Sequence, residues 1–402
     1  MCSFIMYRIA EWHKILKLSF QITKTHYSMK ILTQKKVSGK FVWILAFLIL
    51  GFGTAQAQVI ADNFIGSNIN PDFQAPVPGI RVGEPFLNAN EISNQEATSN
   101  PENSISRVGF SLLPEPKDII GRWNLTLDMN GKEAPSWLEV KLSGISTLVG
   151  YFVGDDGSAR PVSKVNFENG KYSFSIPPQW QVSNNDLKFE GVLEGGKLVG
   201  SIHHPSGSKY AFVGERAPSL VRDKKPTWGQ SIKLFNEKDL SGWHADKAEN
   251  QWVVKDGILI SEKSGANLIT DAKFEDFKLN VQFRYPAGSN SGIFLRGRYE
   301  VQIQDDYGQE PSNVLFGGIY GFLTPNEMAA GKAGEWQNYE ITLVGRRLTI
   351  VANGKTIICD QIIPGITGGA MDSKEGLPGP IMLQGDHGPV EFKLIELIPA
   401  VY

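Results

Sequence analysis

From Gly121 to the C terminus the sequence is written almost entirely in period two. Runs such as RWNLTLDM, SWLEVKL, KYSFSI, FKLNVQFRY and YEITLVG alternate apolar with polar residues, the pattern of a strand with one buried and one polar face. Between the runs stand Asn130-Gly131, Asp155-Asp156-Gly157, Asn169-Gly170, Gly195-Gly196, Ser206-Gly207 and Asn353-Gly354, residue types that accept the positive φ of tight hairpin turns. No convincing amphipathic helix of ten or more residues appears. The expected fold class is therefore all-β: a C-terminal jelly-roll sandwich preceded by a small antiparallel β-barrel or sandwich.

A chain of 402 residues is longer than one ordinary domain, and its composition shifts mark the divisions. MKILTQKKVSGKFVWILAFLILGFGTAQAQ has a basic start (Lys30, Lys35, Lys36, Lys40), an apolar stretch from Phe41 to Phe52 and a small-x-small site at Ala55-Gln56-Ala57. That is the order of an export signal, and the apolar run is short for a bilayer span. Residues 1–57 read as an upstream extension plus signal peptide with its translation start at Met29, leaving a periplasmic or secreted Gram-negative protein without a stable membrane anchor. Residues 58–117, rich in Asn, Pro, Ser and Glu, read as a largely disordered arm. Residues 118–218 carry about eight short strands with tight turns, as expected of a small antiparallel barrel, and open on GRWNLTL in a lipocalin-like way. Residues 219–230 read as a linker and 231–402 as the jelly roll.

The formal net charge of −2 gives no basic field for nucleic acid. The two cysteines, Cys2 and Cys359, offer no zinc spacing and no disulfide framework. Cys359 in KTIICDQII is expected to be a buried thiol, and His203-His204 a surface pair at a turn without carboxylate company. Trp243, Trp252 and Trp336 are expected in the core, with a sugar platform as the alternative.

The stretch SGIFLRGRYEVQIQDDYG reads as one long strand. Ile293, Leu295, Tyr299, Val301 and Ile303 fall on one face; Arg296, Arg298, Glu300, Gln302 and Gln304 fall on the other. Two arginines, a carboxylate and two amides in a row make either a solvated face or a binding surface.

Across 231–402 the segments LFNEKDLSGWH, NSGIFLRGRYEVQIQDDYG, GGIYG, AGEWQNYEITLVGRRLTIVANGK and GPIMLQGDHGPVEFKLIELI follow one another as in the 3-keto-disaccharide hydrolase domain family, which this part of the chain resembles. The chain departs from the family in having LQGDHG, with Gly385 inserted, where LQDHG is expected, and FKLIEL where the family often has Arg-Asn. The resemblance implies a concanavalin-A-like jelly roll and an oxidised disaccharide or glycoside as substrate. A ketone at carbon 3 acidifies the hydrogen on carbon 2, so a base can remove it and the leaving group departs from carbon 1 by elimination. Water then adds to the enone.

Such chemistry needs a base, an acid and donors for the enolate oxygen. For this chemistry the polar face and the GDHG loop offer Glu300 and His387 as candidates for proton transfer, and Arg296, Arg298, Gln302, Gln304, Gln384 and Asp386 as candidates for holding the substrate. No cofactor is required, a divalent cation on Asp305 and Asp306 being the alternative; oligomeric state is left open. Competing readings are a lectin-like carbohydrate-binding module and a conventional glycoside hydrolase.

The first test concerns processing. Mass analysis of protein from the envelope fraction should find an N terminus at Gln58 or its pyroglutamate, and an intact Met1 would refute the export signal.

Overall fold

In the computed structural model residues 114–180 and 182–402 are described, together with the backbone of two short antiparallel strands, Lys35–Val37 and Lys40–Val42. Apart from those two strands, the expected leader and the arm up to residue 113 lie outside the described residues.

A one-turn helix, Pro116–Ile119, leads into eight antiparallel strands: β1 (Gly121–Met129), β2 (Lys132–Ser143), β3 (Thr147–Val153), β4 (Arg160–Glu168), β5 (Lys171–Ile176), β6 (Leu187–Glu194), β7 (Lys197–His203) and β8 (Lys209–Arg216). Each pairs with the next, and β8 returns to β1 with Val213 opposite Thr126, so the sheet closes into a barrel rather than a sandwich. Closure removes the exposed edges that an open sheet would present. Trp123, Leu125, Leu138, Phe152, Phe174, Phe189 and Phe212 are buried together in one cluster, with the Phe174 and Phe189 rings stacked at 4.3 Å. The barrel is packed through rather than hollow.

The remaining strands form two sheets. The nine-stranded sheet runs β12 (Trp252–Lys255), β13 (Ile258–Ser261), β22 (Val390–Val401), β15 (Phe277–Arg284), β18 (Gln337–Val344), β19 (Arg347–Ala352), β20 (Lys355–Ile362), and β9 (Thr227–Trp228) and β10 (Ile232–Lys233) also pair with β22. The five-stranded sheet is ordered β11 (Trp243–Ala245), β14 (Leu268–Thr270), β21 (Met382–Leu383), β16 (Asn290–Leu295), β17 (Tyr299–Gln304). Alternate residues of both, among them Leu279, Val281, Phe283, Ile293, Leu295, Val301, Ile303, Ile341 and Phe392, meet in one core, as in a two-sheet jelly roll.

Barrel and sandwich are joined by buried contacts. Trp137 and Val153, on β2 and β3, belong to the core cluster of the sandwich rather than that of the barrel. The Trp137 indole meets Phe322 edge to face at 5.1 Å, and a Cβ at Gly365 would lie 2.1 Å from its ring nitrogen.

Beside this apolar wedge lies a buried carboxylate. Glu375 accepts two bonds from Arg346 (2.7 and 2.5 Å), one from the Tyr299 hydroxyl (2.6 Å) and one from Asn124 of β1 (3.1 Å). Burial would raise its pKa, but the Arg346, Tyr299 and Asn124 bonds outweigh that and hold it below the usual carboxylate range. Thr126 and Ser373 hydroxyls add a further link.

Residues 219–230 lie along the sandwich. Arg222 pairs with Asp276 (2.6 Å) and Glu275 (2.7 Å), Thr227–Trp228 adds to the end of β22, and Lys278 sits over the Trp228 ring.

Two smaller expectations are corrected. Cys359 is exposed, because β20 is an edge strand whose outer half faces solvent beyond Ile358. His203 does have carboxylate company, Glu190 at 2.8 Å on the neighbouring strand.

Glu375→Gln keeps the shape but leaves the buried Arg346 charge unpaired, which should cost about 3–5 kcal/mol at neutral pH. Because the carboxyl's folded pKa lies below its unfolded value of 4.5, its contribution is present above that pH and lost as pH falls. Urea midpoints of the two proteins should therefore converge on acidification; a gap independent of pH would contradict the charged network.

Candidate active site

The stretch read as one strand is a hairpin. β16 and β17 pair with Leu295 opposite Tyr299, Phe294 opposite Glu300, Gly292 opposite Gln302 and Asn290 opposite Gln304. Arg296, Gly297 and Arg298 make the turn, the first two in the left-handed region at φ 53° and 66°. A turn of three residues returns the chain with its odd and even faces in phase, so the alternation in sequence continues across it.

Register sets out the outer face of the sheet, the side away from the core. Met382 lies opposite Phe294, Ile269 opposite Met382 and His244 opposite Ile269. Together with Glu300 they form one transverse row, apolar at its centre where Ile269, Phe294 and Met382 cluster. The next row is polar: the Gln384 backbone N–H bonds to the Gly292 carbonyl (2.9 Å), with Gln302 on the far side of Gly292.

Glu300 stands where the apolar row meets the polar one. Its backbone is fixed on the free edge of β17 by Thr367, whose hydroxyl accepts the Glu300 N–H at 3.1 Å, and by Tyr320, whose N–H bonds to the Glu300 carbonyl at 3.1 Å. A glycine diagonally across on β16 makes room for its carboxyl: a Cβ at Gly292 would lie 2.5 Å from Glu300 Oε1. Only 4% of the residue is exposed. Burial, and secondarily the Asp386 charge, push its pKa from 4.5 to about 8, against a Gln384 side-chain bond that favours the ionised form. At neutral pH the unliganded site holds a carboxylic acid.

Asp386 and His387 follow on the GDHG loop. His387 Nδ1 lies 2.6 Å from Asp386 Oδ1; the bond raises the imidazole pKa above 6.5 and holds Asp386 below the usual carboxylate range. With Nδ1–H directed at the carboxylate, Nε2 is left for a proton transfer of its own. The inserted Gly385 seats this loop. Its N–H bonds to Asn267 Oδ1 (2.9 Å), its carbonyl accepts from Gly265 (2.8 Å), and a Cβ there would lie 2.1 Å from the Ala266 carbonyl.

Gln302 and Gln304 line the same face in a chain of amides. Gln302 Nε2 donates to Asn290 Oδ1 (3.2 Å) and Gln304 Oε1 (2.9 Å), and Gln304 Nε2 to Asp306 Oδ1 (3.1 Å). Two buried acceptors on this face, Gln302 Oε1 and Gln384 Oε1, have no partner.

The two arginines, expected to hold the substrate, are buried and engaged by partners within the protein. Arg296 is on the core side of the turn, giving Nη2 to the Tyr299 hydroxyl (3.0 Å) and the Gly345 carbonyl (2.9 Å). Arg298 forks onto Asp372 (2.7 and 3.1 Å) and bonds to the Leu377 carbonyl (2.9 Å). Both guanidinium groups hold loops at the hairpin's end, because the turn rotates them out of the row that simple alternation assigned.

The weak metal candidates do not fit a cation either. Asp306 Oδ1 accepts from Gln304 and Gln309 (3.1 and 3.2 Å) and its Oδ2 from the Phe316 N–H (2.8 Å), while Asp305 Oδ2 caps Gly288 (2.9 Å). Among the described residues no group of three or more His, Cys, Asp or Glu side chains could hold a metal ion.

Trp243 and Trp252 are core residues, whereas Trp336 is partly exposed between Arg284 and Lys393. Thr367, Tyr320 and Gly292 were missed in sequence. Only the small residue at 292, in NSGIF, hinted that something large would lie across from it.

Residues 230–398 match the 3-keto-alpha-glucoside-1,2-lyase-like domain family. A 3-keto-disaccharide hydrolase of Bacteroides thetaiotaomicron is 29% identical over 97 residues, 21% of this chain and 33% of the relative. The chain thus spans about a third of the length of the curated relative it matches. Two solved structures from Parabacteroides distasonis, assigned provisionally to the glycosyl hydrolases, are also similar. One is 28% identical and covers 45% of this chain and 96% of its own, with a TM-score of 0.37. The other is 25% identical and covers 42% and 98%, with a TM-score of 0.34.

The raised Glu300 pKa has a consequence for stability. Between about pH 4.5 and 8 the folded protein holds a proton that the unfolded chain has lost, so this group makes stability fall as pH rises through that window. Glu300→Gln removes the effect. Its melting temperature should gain on that of the wild type from pH 5 to 8 and run parallel above, and a constant difference would contradict the buried acid.

Proposed function

We propose that the protein, whose residues 230–398 match the 3-keto-alpha-glucoside-1,2-lyase-like domain family, is an exported hydrolase of 3-keto-glycosides. The observation that carries the reading is the buried Glu300 carboxyl, bonded by Gln384 and within electrostatic reach of Asp386, which in turn pairs with His387.

In this reading Glu300, once ionised, removes the proton from carbon 2. A carboxylate that is poorly solvated is a stronger base than an exposed one, and a pKa near 8 suits a weakly acidic C–H. Electrons from that bond form the enolate, the bond from carbon 1 to the leaving oxygen breaks, and that oxygen takes a proton from His387. The Asp386 bond keeps His387 protonated to higher pH than a free imidazole. Water then adds to the enone, its hydroxyl to carbon 1 and its proton to carbon 2.

Since Arg296 and Arg298 are committed to Tyr299, Gly345 and Asp372, and Gln302 Nε2 to Asn290 and Gln304, the ketone oxygen takes its donor from the Tyr320 hydroxyl, which lies within electrostatic reach of Glu300. The unpartnered oxygens of Gln302 and Gln384 suit a ligand rich in hydroxyl groups. The sequence of residues 29–57 supports export, with the sugar met in the periplasm or outside the cell.

Purified protein given matched glucosides and 3-keto-glucosides should release sugar only from the oxidised ones. Glu300→Gln should lower turnover by about 10²-fold or more. The profile of kcat/KM should rise with pH towards about 8 as Glu300 ionises, and His387→Ala should lose the falling limb. Activity on unoxidised sugars would point to a conventional glycosidase. Sugar binding without turnover by the wild type would point to a lectin-like module.

A further inference from the structure

The barrel's loop between β3 and β4, residues 154–159, is pressed against the loops that surround Glu300. A Cβ at Gly368 would lie 2.2 Å from the Gly157 carbonyl oxygen, and one at Gly321 would lie 2.6 Å from the Ala159 nitrogen. The Gly369 N–H bonds to the Asp155 carbonyl at 2.8 Å. Backbone meets backbone at these points because glycine leaves no side chain between the two surfaces.

Gly368 and Gly369 follow Thr367, which holds the Glu300 N–H, and Gly369 also lies against the Phe294 ring opposite Glu300. Gly321 follows Tyr320, which holds the Glu300 carbonyl. Both loops that fix Glu300 therefore rest on the barrel.

The barrel brings side chains to the same place. Burial, and then the charges of Glu300 and Asp156, raise the Tyr320 pKa, so its phenol lies within electrostatic reach of both the sandwich carboxyl and the barrel carboxyl. Trp180 continues the surface: a Cβ at Gly157 would lie 3.0 Å from its ring nitrogen, and the indole is 59% exposed although it stands beside a packed loop. The barrel interior does not compete as a site. The cavity at this mouth measures about 50 Å³, room for one or two waters and not for a pyranose.

We propose that the barrel is a working part of the active site: Asp156 and Trp180, with Tyr320 between barrel and sandwich, form the subsite that receives the leaving-group sugar. The inference rests on the hydrolase reading above for the identity of the substrate. An exposed indole gives the flat apolar face on which a pyranose ring stacks, and a carboxylate accepts bonds from ring hydroxyls. Their place at the barrel loop against which the Glu300-holding loops rest suits the half of the substrate that departs. The family's sandwich by itself lacks these two groups, because both come from residues before 230.

The test compares two substrates on the full mature chain: a methyl 3-keto-glucoside, whose leaving group is too small to reach the barrel, and a 3-keto-disaccharide. For Trp180→Ala and Asp156→Asn, kcat/KM on the disaccharide should fall about tenfold further than on the methyl glycoside, equivalent to about 1.4 kcal/mol, with KM carrying the larger part. Equal losses on the two substrates, or none on either, would overturn the subsite. Should the wild type turn over neither substrate, the hydrolase reading fails by itself. The subsite is then decided by intrinsic fluorescence: quenching by the disaccharide that disappears in Trp180→Ala supports it, and the absence of quenching in the wild type overturns it.

Discussion

The site depends on a carboxylate that does no chemistry. Glu375 is buried between barrel and sandwich, and its bonds reach Asn124 in the barrel, Arg346 at the turn between β18 and β19, and Tyr299, the residue before Glu300. Removing a charge from water is costly unless every lone pair finds a partner. Here the donors come from three separate parts of the chain, so the charge is satisfied only when all three are in place. The same arrangement that stabilises the joint therefore sets the position of the strand that carries the candidate base.

Glu300 illustrates the opposite use of burial. It has no guanidinium partner, and its neighbours are an amide, a glycine and, further off, another carboxylate. Stability would favour a neutral or paired residue at that place, whereas proton abstraction favours a carboxyl whose affinity for protons is high. Two buried glutamates in one protein thus have opposite pKa directions for reasons visible in their partners. Glu375 meets an arginine, a phenol and an amide; Glu300 meets mainly apolar surface and a like charge.

The barrel's place follows from shape rather than from motif. Trp137 leaves the barrel's own core to pack with Phe322 and Gly365, and glycines at 321, 368 and 369 let the two backbones close on each other. Burying an indole in the joint supplies apolar area that a loop contact alone would lack. The loops holding Glu300 are thereby backed by a rigid, closed sheet, which reduces their freedom near the reacting groups.

Period-two patterning and turn residues were enough, by themselves, to determine an all-β chain in two parts, since alternation and Asn-Gly turns act locally. The core membership of Trp243 and Trp252, and the polar face bearing Glu300, Gln302 and Gln304, were legible for the same reason. What tertiary structure alone decided lies where distant segments meet. The hairpin at Arg296–Arg298 was hidden because a three-residue turn preserves the parity of the strands it joins. The arginines read as ligand contacts are consumed by partners such as Gly345 and Asp372, dozens of residues away. The contacts that hold Glu300 come from Tyr320 and Thr367, whose nearness to it is written in no local pattern. Strand alternation is a property of neighbouring residues, but burial, pairing and proton affinity depend on which remote groups are brought within a few ångströms.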